Sequence, residues 1–417
     1  MKRLLILALA LASGAEAQEV IAPGPPPALS AWLSEHRSPE LLPEAEPLDV
    51  MTVPGEASPV TITSRADSTP FQWGPFALHP FASYRLLYGS GIQSGPGDPR
   101  NTAIQDINAG FFLLMGEHWI LNYSPTWTTY SDAAFQDTLS QVASLTGTIT
   151  YENVGVGLSE SVSTSNAPLA ETGAQTQVRT YATAVNVSCS LGQFSLFSSL
   201  SASIQDTTGL TDTAAWSTSD GFRYKFTPEI DAGATASASY SVVNPGANLA
   251  SGGLTAVVDW RPTKKISLDL EGGVERQAFL GGNSSGQNTP TVKSSVQYAL
   301  LDTTQLTMSV SRSLQGSAFA NSSTEVTGWN ATLDQRLLQQ LHLSFGFGQQ
   351  HTSYQTAVVN TETGRSDSTT TANIRLNVTL LQRGSIGLGY SENRDASSLS
   401  GFSFTSHQVE IDIGYRY

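Results

Sequence analysis

Histidines, a lone cysteine and scattered serines and carboxylates are the residues of this chain that could carry covalent or acid–base chemistry. Gly282-Asn283-Ser284-Ser285-Gly286 has the spacing of a nucleophile elbow, which needs its serine raised on a strand-to-helix turn. Here it falls in a polar loop between two strand-like segments, so no elbow is expected. His79, His118, His342, His351 and His407 could serve as bases on the wall or rim of a barrel, yet the sequence sets no acid or serine beside any of them. An imidazole facing water accounts for each. Cys189 has no second cysteine to pair with, which makes it a structural thiol. Asp231, Asp259, Asp269 and Glu271 are a different kind of group, because they fall on neighbouring predicted strands toward one end. Gathered there, they would bind a divalent cation or favour cations generally, although no fixed ligand spacing is visible. No catalytic residue, cofactor or metal site is assigned, and the chain is not read as an enzyme.

The elements that must position these groups come in two unequal regions behind a leader. Lys2 and Arg3, the apolar run Leu4 to Leu11 and the Ala15-Glu16-Ala17 site read as a signal peptide over residues 1–17. That run is half the roughly 20 residues a spanning helix needs. Residues 18–70 hold Pro25-Pro26-Pro27 and are rich in acidic side chains, with Arg37 and Arg65 against them. Such a composition predicts a largely unstructured segment, within which Leu29, Trp32, Leu33 and His36 have helical spacing. The bland reading is a transient helix in a linker, and the functional one a plug or docking element. The net charge of −14 and pI near 4.8 exclude nucleic-acid binding, which wants a basic surface.

From Phe71 to Tyr417 the apolar pattern has a period of two, the signature of strands with unlike faces. Ile230, Ala232, Ala234, Ala236, Ala238, Tyr240 and Val242 alternate with Asp231, Gly233, Thr235, Ser237, Ser239 and Ser241. Leu341, Leu343, Phe345 and Phe347 alternate with His342, Ser344, Gly346 and Gly348 in the same way. Tight turns are predicted near Gly116-Glu117, Glu152-Asn153, Gly192-Gln193, Pro228-Glu229, Pro262-Thr263, Asp302-Thr303, Gln339-Gln340 and Arg383-Gly384. Longer polar loops lie between them, including Gly89 to Arg100, Ser165 to Ala174, Asn244 to Ser251, Gly281 to Thr289, Asn360 to Ser368 and Glu392 to Ser400, with shorter ones after Ser131, Asp206 and Gly316. Alternating loop lengths of this kind predict an all-β, antiparallel up-and-down transmembrane barrel of about 18 strands, with 16 as the alternative. Trp119, Tyr151, Phe226, Trp260 and Tyr417 sit near the short turns, where an amphipathic ring is favoured at a lipid–water boundary.

Val409, Ile411, Ile413, Tyr415 and Tyr417 form one face of the last strand, opposite Gln408, Glu410, Asp412, Gly414 and Arg416. In this the chain resembles outer-membrane barrels, whose terminal strand and final aromatic are read by the barrel assembly machinery. Residues 71–417, opening with Pro75-Phe76-Ala77-Leu78-His79-Pro80-Phe81, are similar to the β-barrel porins of bacterial outer membranes. The resemblance implies outer-membrane lipid as surroundings, residues 18–70 in the periplasm, and a homo-oligomer as one possible state.

A barrel of this width is too wide for side chains to fill, so passive diffusion of small hydrophilic solutes is the expected activity. Export of a polysaccharide or another envelope polymer is the alternative, and a structural or adhesive barrel a third. Inward positions on this register are Arg85, Asp231, Asp259, Asp269, Glu271, His342, Arg375, Glu410, Asp412 and Arg416. Both charge signs are among them, which argues for a solvated wall with paired strands more than for a filter of one sign.

Overall fold

The computed structural model describes residues 71–417 except 94–96, 167, 170–173, 281–285, 317–321, 339, 357–363, 381–382, 400 and 417. The leader, the segment 18–70 with its helical spacing, the elbow-like stretch before Gly286 and Tyr417 lie outside the described residues.

Eighteen long strands make the wall. In chain order they are β1 (Phe76–Gln93), β2 (Pro99–Met115), β3 (Trp119–Tyr130), β4 (Thr138–Tyr151), β5 (Val154–Ser165) and β6 (Val178–Leu191). β7 (Phe194–Thr207), β8 (Asp212–Thr227), β9 (Ile230–Asn244), β10 (Asn248–Thr263), β11 (Ile266–Leu280) and β12 (Gln287–Leu301) follow. The last six are β13 (Thr304–Gly316), β14 (Ser322–Leu338), β15 (Leu341–Thr356), β16 (Ser366–Leu380), β17 (Gly384–Ser397) and β18 (Phe404–Arg416). Every strand pairs antiparallel with its neighbour in sequence, and β18 returns to β1 in a register running from Phe81↔Arg416 to Ser90↔His407. The sheet therefore has no edge, and each backbone amide of the wall can find a partner without water. A tilt near 40° and a strand spacing near 4.8 Å give a wall radius of about 18 Å.

Alternation decides which face is which. Tyr84, Leu86 and Tyr88 on β1, Leu196 and Leu200 on β7, Val274 on β11 and Val409, Ile411, Ile413 and Tyr415 on β18 are exposed on one face. The registers carry that face around the ring, as in Tyr84↔Ile107 and Ile107↔Trp127. Large apolar side chains exposed on the wall far outnumber the buried ones, the reverse of a water-soluble domain. A continuous apolar exterior of this kind is solvated by lipid. Rings bound it at both ends: Tyr151, Phe226, Trp260, Tyr298 and Tyr415 toward the short turns, and Tyr88, Trp127, Tyr181, Trp216, Tyr240 and Trp329 toward the long loops.

The connections differ from expectation in several places: β1 runs to Gln93 and β2 begins at Pro99 within Gly89 to Arg100, and β17 runs to Ser397 within Glu392 to Ser400. Asn244 to Ser251 is no long loop: β9 runs to Asn244 and β10 begins at Asn248, leaving 245–247 as the turn. Asn248 closes it, its Oδ1 accepting from Val243 N at 3.3 Å and its Nδ2 donating to the Tyr240 hydroxyl at 3.0 Å. The Pro262-Thr263 turn also moves, to Lys264-Lys265, because a register shift between Trp260 and Thr263 accommodates the proline inside β10. Gln72–Trp73 adds a short rung onto Phe76–Ala77, and Pro168–Leu169 pairs with Ala174–Gln175 within the β5–β6 loop.

Candidate functional site: the inner wall

The inward face is polar, and its charges form two arcs. The first spans β16 to β2 through the closure. Arg85 on β1 donates from Nε and Nη2 to Asp106 Oδ2 at 2.9 and 2.5 Å, and its Nη1 lies 3.8 Å from Glu410 Oε2. Asp106 takes a further hydrogen bond from Thr128 Oγ1 at 2.7 Å. From β16, Arg375 reaches past β17 to Glu410 and Asp412 on β18, with Nε on Asn377 Oδ1 at 3.0 Å. That crossing needs a bare floor. Gly387 and Gly389 of β17 supply it, since a Cβ on Gly387 would stand 2.2 Å from Asp412 Oδ1 and one on Gly389 would stand 2.7 Å from Glu410 Cγ.

The second arc faces the first, because β1 and β10 are half a turn apart in a ring of eighteen. Asp231, Asp259 and Asp269 stand in one cross-strand row on β9, β10 and β11, with Lys225 at its β8 end. Arg223 pairs with Asp259, Ser295 Oγ donates to Asp269 Oδ2 at 2.9 Å, and Lys293 is the register partner of Glu271. The four carboxylates are thus interleaved with three cations and form no purely acidic cluster. Among the described residues no group of three or more His, Cys, Asp or Glu side chains is placed to hold a metal ion.

The remaining expected positions are placed as follows. His342 shares its row with Arg336 and Asn377, and the Arg416 guanidinium lies 5.8 Å from the centroid of the Phe112 ring. His407 is on the outward face against Tyr390, 3.0 Å away, and Glu392, 3.8 Å away. His351 is also on the outward face, 3.3 Å from Ser366 Oγ.

Several wall residues escape a reading of the sequence. Asp106 does, although Ile104, Asp106 and Asn108 alternate with Ala103, Gln105 and Ile107 and so carried a signal. Lys225, Arg223 and Lys293 were legible only as scattered charges. At the long-loop end, residues 131–137 fold inward, where Phe135 packs with Leu87, Ile92 and Ile104 and stacks on Tyr130 at 5.1 Å. Gln175 holds this loop down, its Oε1 accepting from Gln136 N at 2.8 Å and its Nε2 donating to Gln136 O at 3.0 Å. Elsewhere on the same rim, Arg365 lies between the Tyr354 and Phe402 rings, 4.6 and 4.0 Å from their centroids, and pairs with Asp367 at 2.7 Å. Elsewhere the inner wall is small: serines, threonines and glycines such as Ser239 and Ser251, whose hydroxyls are 2.8 Å apart.

Fold and wall together define a closed, lipid-embedded barrel with a polar interior. No protein-family model matches the chain, and no curated protein does. Among solved structures it is similar to Pseudomonas aeruginosa OpdO, at 12% identity over 82% of this chain and 97% of that one, with a TM-score of 0.46. The outer membrane protein OpdK of the same organism gives 12%, 82%, 98% and 0.45. OccK2 (OpdF), in its complex with glucuronate, gives 12%, 81%, 98% and 0.45. Likeness at this level settles neither a family nor a solute.

Proposed function

We propose that this chain is a passive channel in the outer membrane of a Gram-negative-type bacterium, admitting small hydrophilic solutes. The inverted wall carries the reading: apolar side chains face out around a closed ring while hydroxyls, amides and paired charges face in. About eight strands already make an interior that side chains can fill, and eighteen enclose water. Fixed charge along that water is nearly balanced. Asp106, Glu410 and Asp412 are opposed by Arg85 and Arg375, and the second arc sets four carboxylates against three cations. With Arg416 also inward on β18 and Glu275 inward on β11, the two signs stay near balance and make no filter of one sign.

On this reading the short turns and the segment 18–70 lie in the periplasm, and the inward loop 131–137 narrows the opposite mouth. Val409, Ile411, Ile413, Tyr415 and Tyr417 act as the strand that the assembly machinery reads. Refolded protein in planar bilayers should give discrete conductance steps. A sealed membrane at either polarity overturns the proposal, and block of the current by an anionic polymer turns it toward export.

A further inference from the structure

The short-turn mouth holds a feature the channel reading leaves unused. Arg261, Lys264 and Lys265, three cations within five residues in a chain of net charge −14, are exposed there around a cavity of about 500 Å³. Its wall includes the inward positions Arg261, Ser267, Gln297 and Gln305, so it opens into the lumen exit. Glu229 is the one carboxylate of the lining, and no ion pair joins it to these cations among the described residues. The lining therefore carries three cations against one carboxylate, with the Asp231, Asp259 and Asp269 row two residues further in along the same strands.

An oppositely charged partner is tethered to the same mouth. The segment 18–70 joins the barrel at Phe71, next to β1, and contains Glu40, Glu44, Glu46 and Asp49 within ten residues with no Lys or Arg among them. The cavity lies across the ring, about 36 Å away by the wall radius. From Phe71 back to this stretch is roughly 22 to 31 residues, a contour of about 70 to 95 Å when extended, so it reaches with slack. Tethering also holds it at an effective concentration in the millimolar range, where weak surface pairs suffice. We propose that the acidic stretch Glu40–Asp49 of this chain docks on Arg261, Lys264 and Lys265 at the lumen exit. The docking stands independently of the channel reading.

A cysteine pair tests the docking in the full-length protein. In a Cys189→Ser background, Leu42→Cys is combined either with Gln305→Cys in the cavity wall or with Glu117→Cys. Glu117 is the demanding control, because its turn touches the point of attachment through Gly116 N on Pro75 O at 2.7 Å. An undirected segment therefore meets Glu117 more often. With a short bis-maleimide at low salt, the Gln305 product should exceed the Glu117 product about threefold, and the excess should vanish at high salt. Changing Glu40→Gln, Glu44→Gln, Glu46→Gln and Asp49→Asn should abolish the preference too; these positions lie outside the barrel, so its heat-shifted gel mobility reports that it still folds. A preference for Glu117, or one for Gln305 that survives salt or tail neutralisation, overturns the docking. A cross-link between two chains assigns the occupant to a second copy and overturns the intrachain contact.

Discussion

Replacing Arg375 by glutamine tests whether the first arc sets the field that a permeating ion feels. Arg375 pairs with both Glu410 and Asp412, and its side chain is about one-fifth exposed, so its charge is close to the water path. Arg375→Gln removes one unit of positive charge from the arc and leaves its carboxylates in place. An ion passing about 10 Å away feels roughly 0.4 kcal/mol from one unit charge at the dielectric of water. Screening with a Debye length of about 30 Å at 0.01 M lowers this to about 0.3 kcal/mol. Cations gain and anions lose that amount, so the cation-to-anion permeability ratio should rise about two- to threefold. Reversal potentials of single channels under a salt gradient measure the ratio directly. The effect should be nearly gone at 1 M salt, where the Debye length is about 3 Å. An unchanged reversal potential at low salt, or a shift that persists at high salt, refutes the assignment of this charge to the ion path.

Other perturbations probe the wall itself. Leu200→Arg places a charge on the outward face within the apolar belt and should cost about 2–4 kcal/mol, blocking insertion, whereas Ser199→Arg one residue earlier points inward and should refold. Refolding yield into detergent, read by heat-shifted gel mobility, separates them. Gly233→Ala would bring a Cβ to 2.0 Å from the Phe222 carbonyl oxygen and should destabilise the barrel by about 1–3 kcal/mol, while Gly272→Ala meets nothing within 4 Å and should leave its urea midpoint unchanged. Phe135→Ser removes the aromatic anchor of the inward loop, so single-channel conductance should rise and become noisier. Arg365→Gln should add gating noise and, by leaving the Asp367 carboxylate uncompensated, should raise the cation preference at low salt.

Strands were legible in this sequence wherever one face is oily and the other is wet, as in Ile230 to Val242 and Leu341 to Phe347. Two of the misread connections share a cause: Asn248 to Ser251 and Pro262-Thr263 have loop-like composition, yet pairing on both sides outweighs local preference. Charge partners were less legible. Asp106 faces Arg85 only through the β1–β2 register, and Arg375 finds Glu410 and Asp412 only because three strands align above two glycines. A single sequence holds no record of such alignments. The inward fold of residues 131–137 was hidden for another reason, because one phenylalanine in a polar loop announces no destination.

The seam between β1 and β18 joins residues more than three hundred positions apart along the polypeptide, with Phe81 beside Arg416. Until that last hairpin arrives, the amides of β1 that point away from β2 have nothing to bind in a lipid interior. Seventeen strands would not be a slightly weaker cylinder but an open sheet with two raw borders, prone to pair with whatever strand comes by. Synthesis order and mechanical completion are thereby locked together: the earliest wall segment waits, unprotected, for the latest.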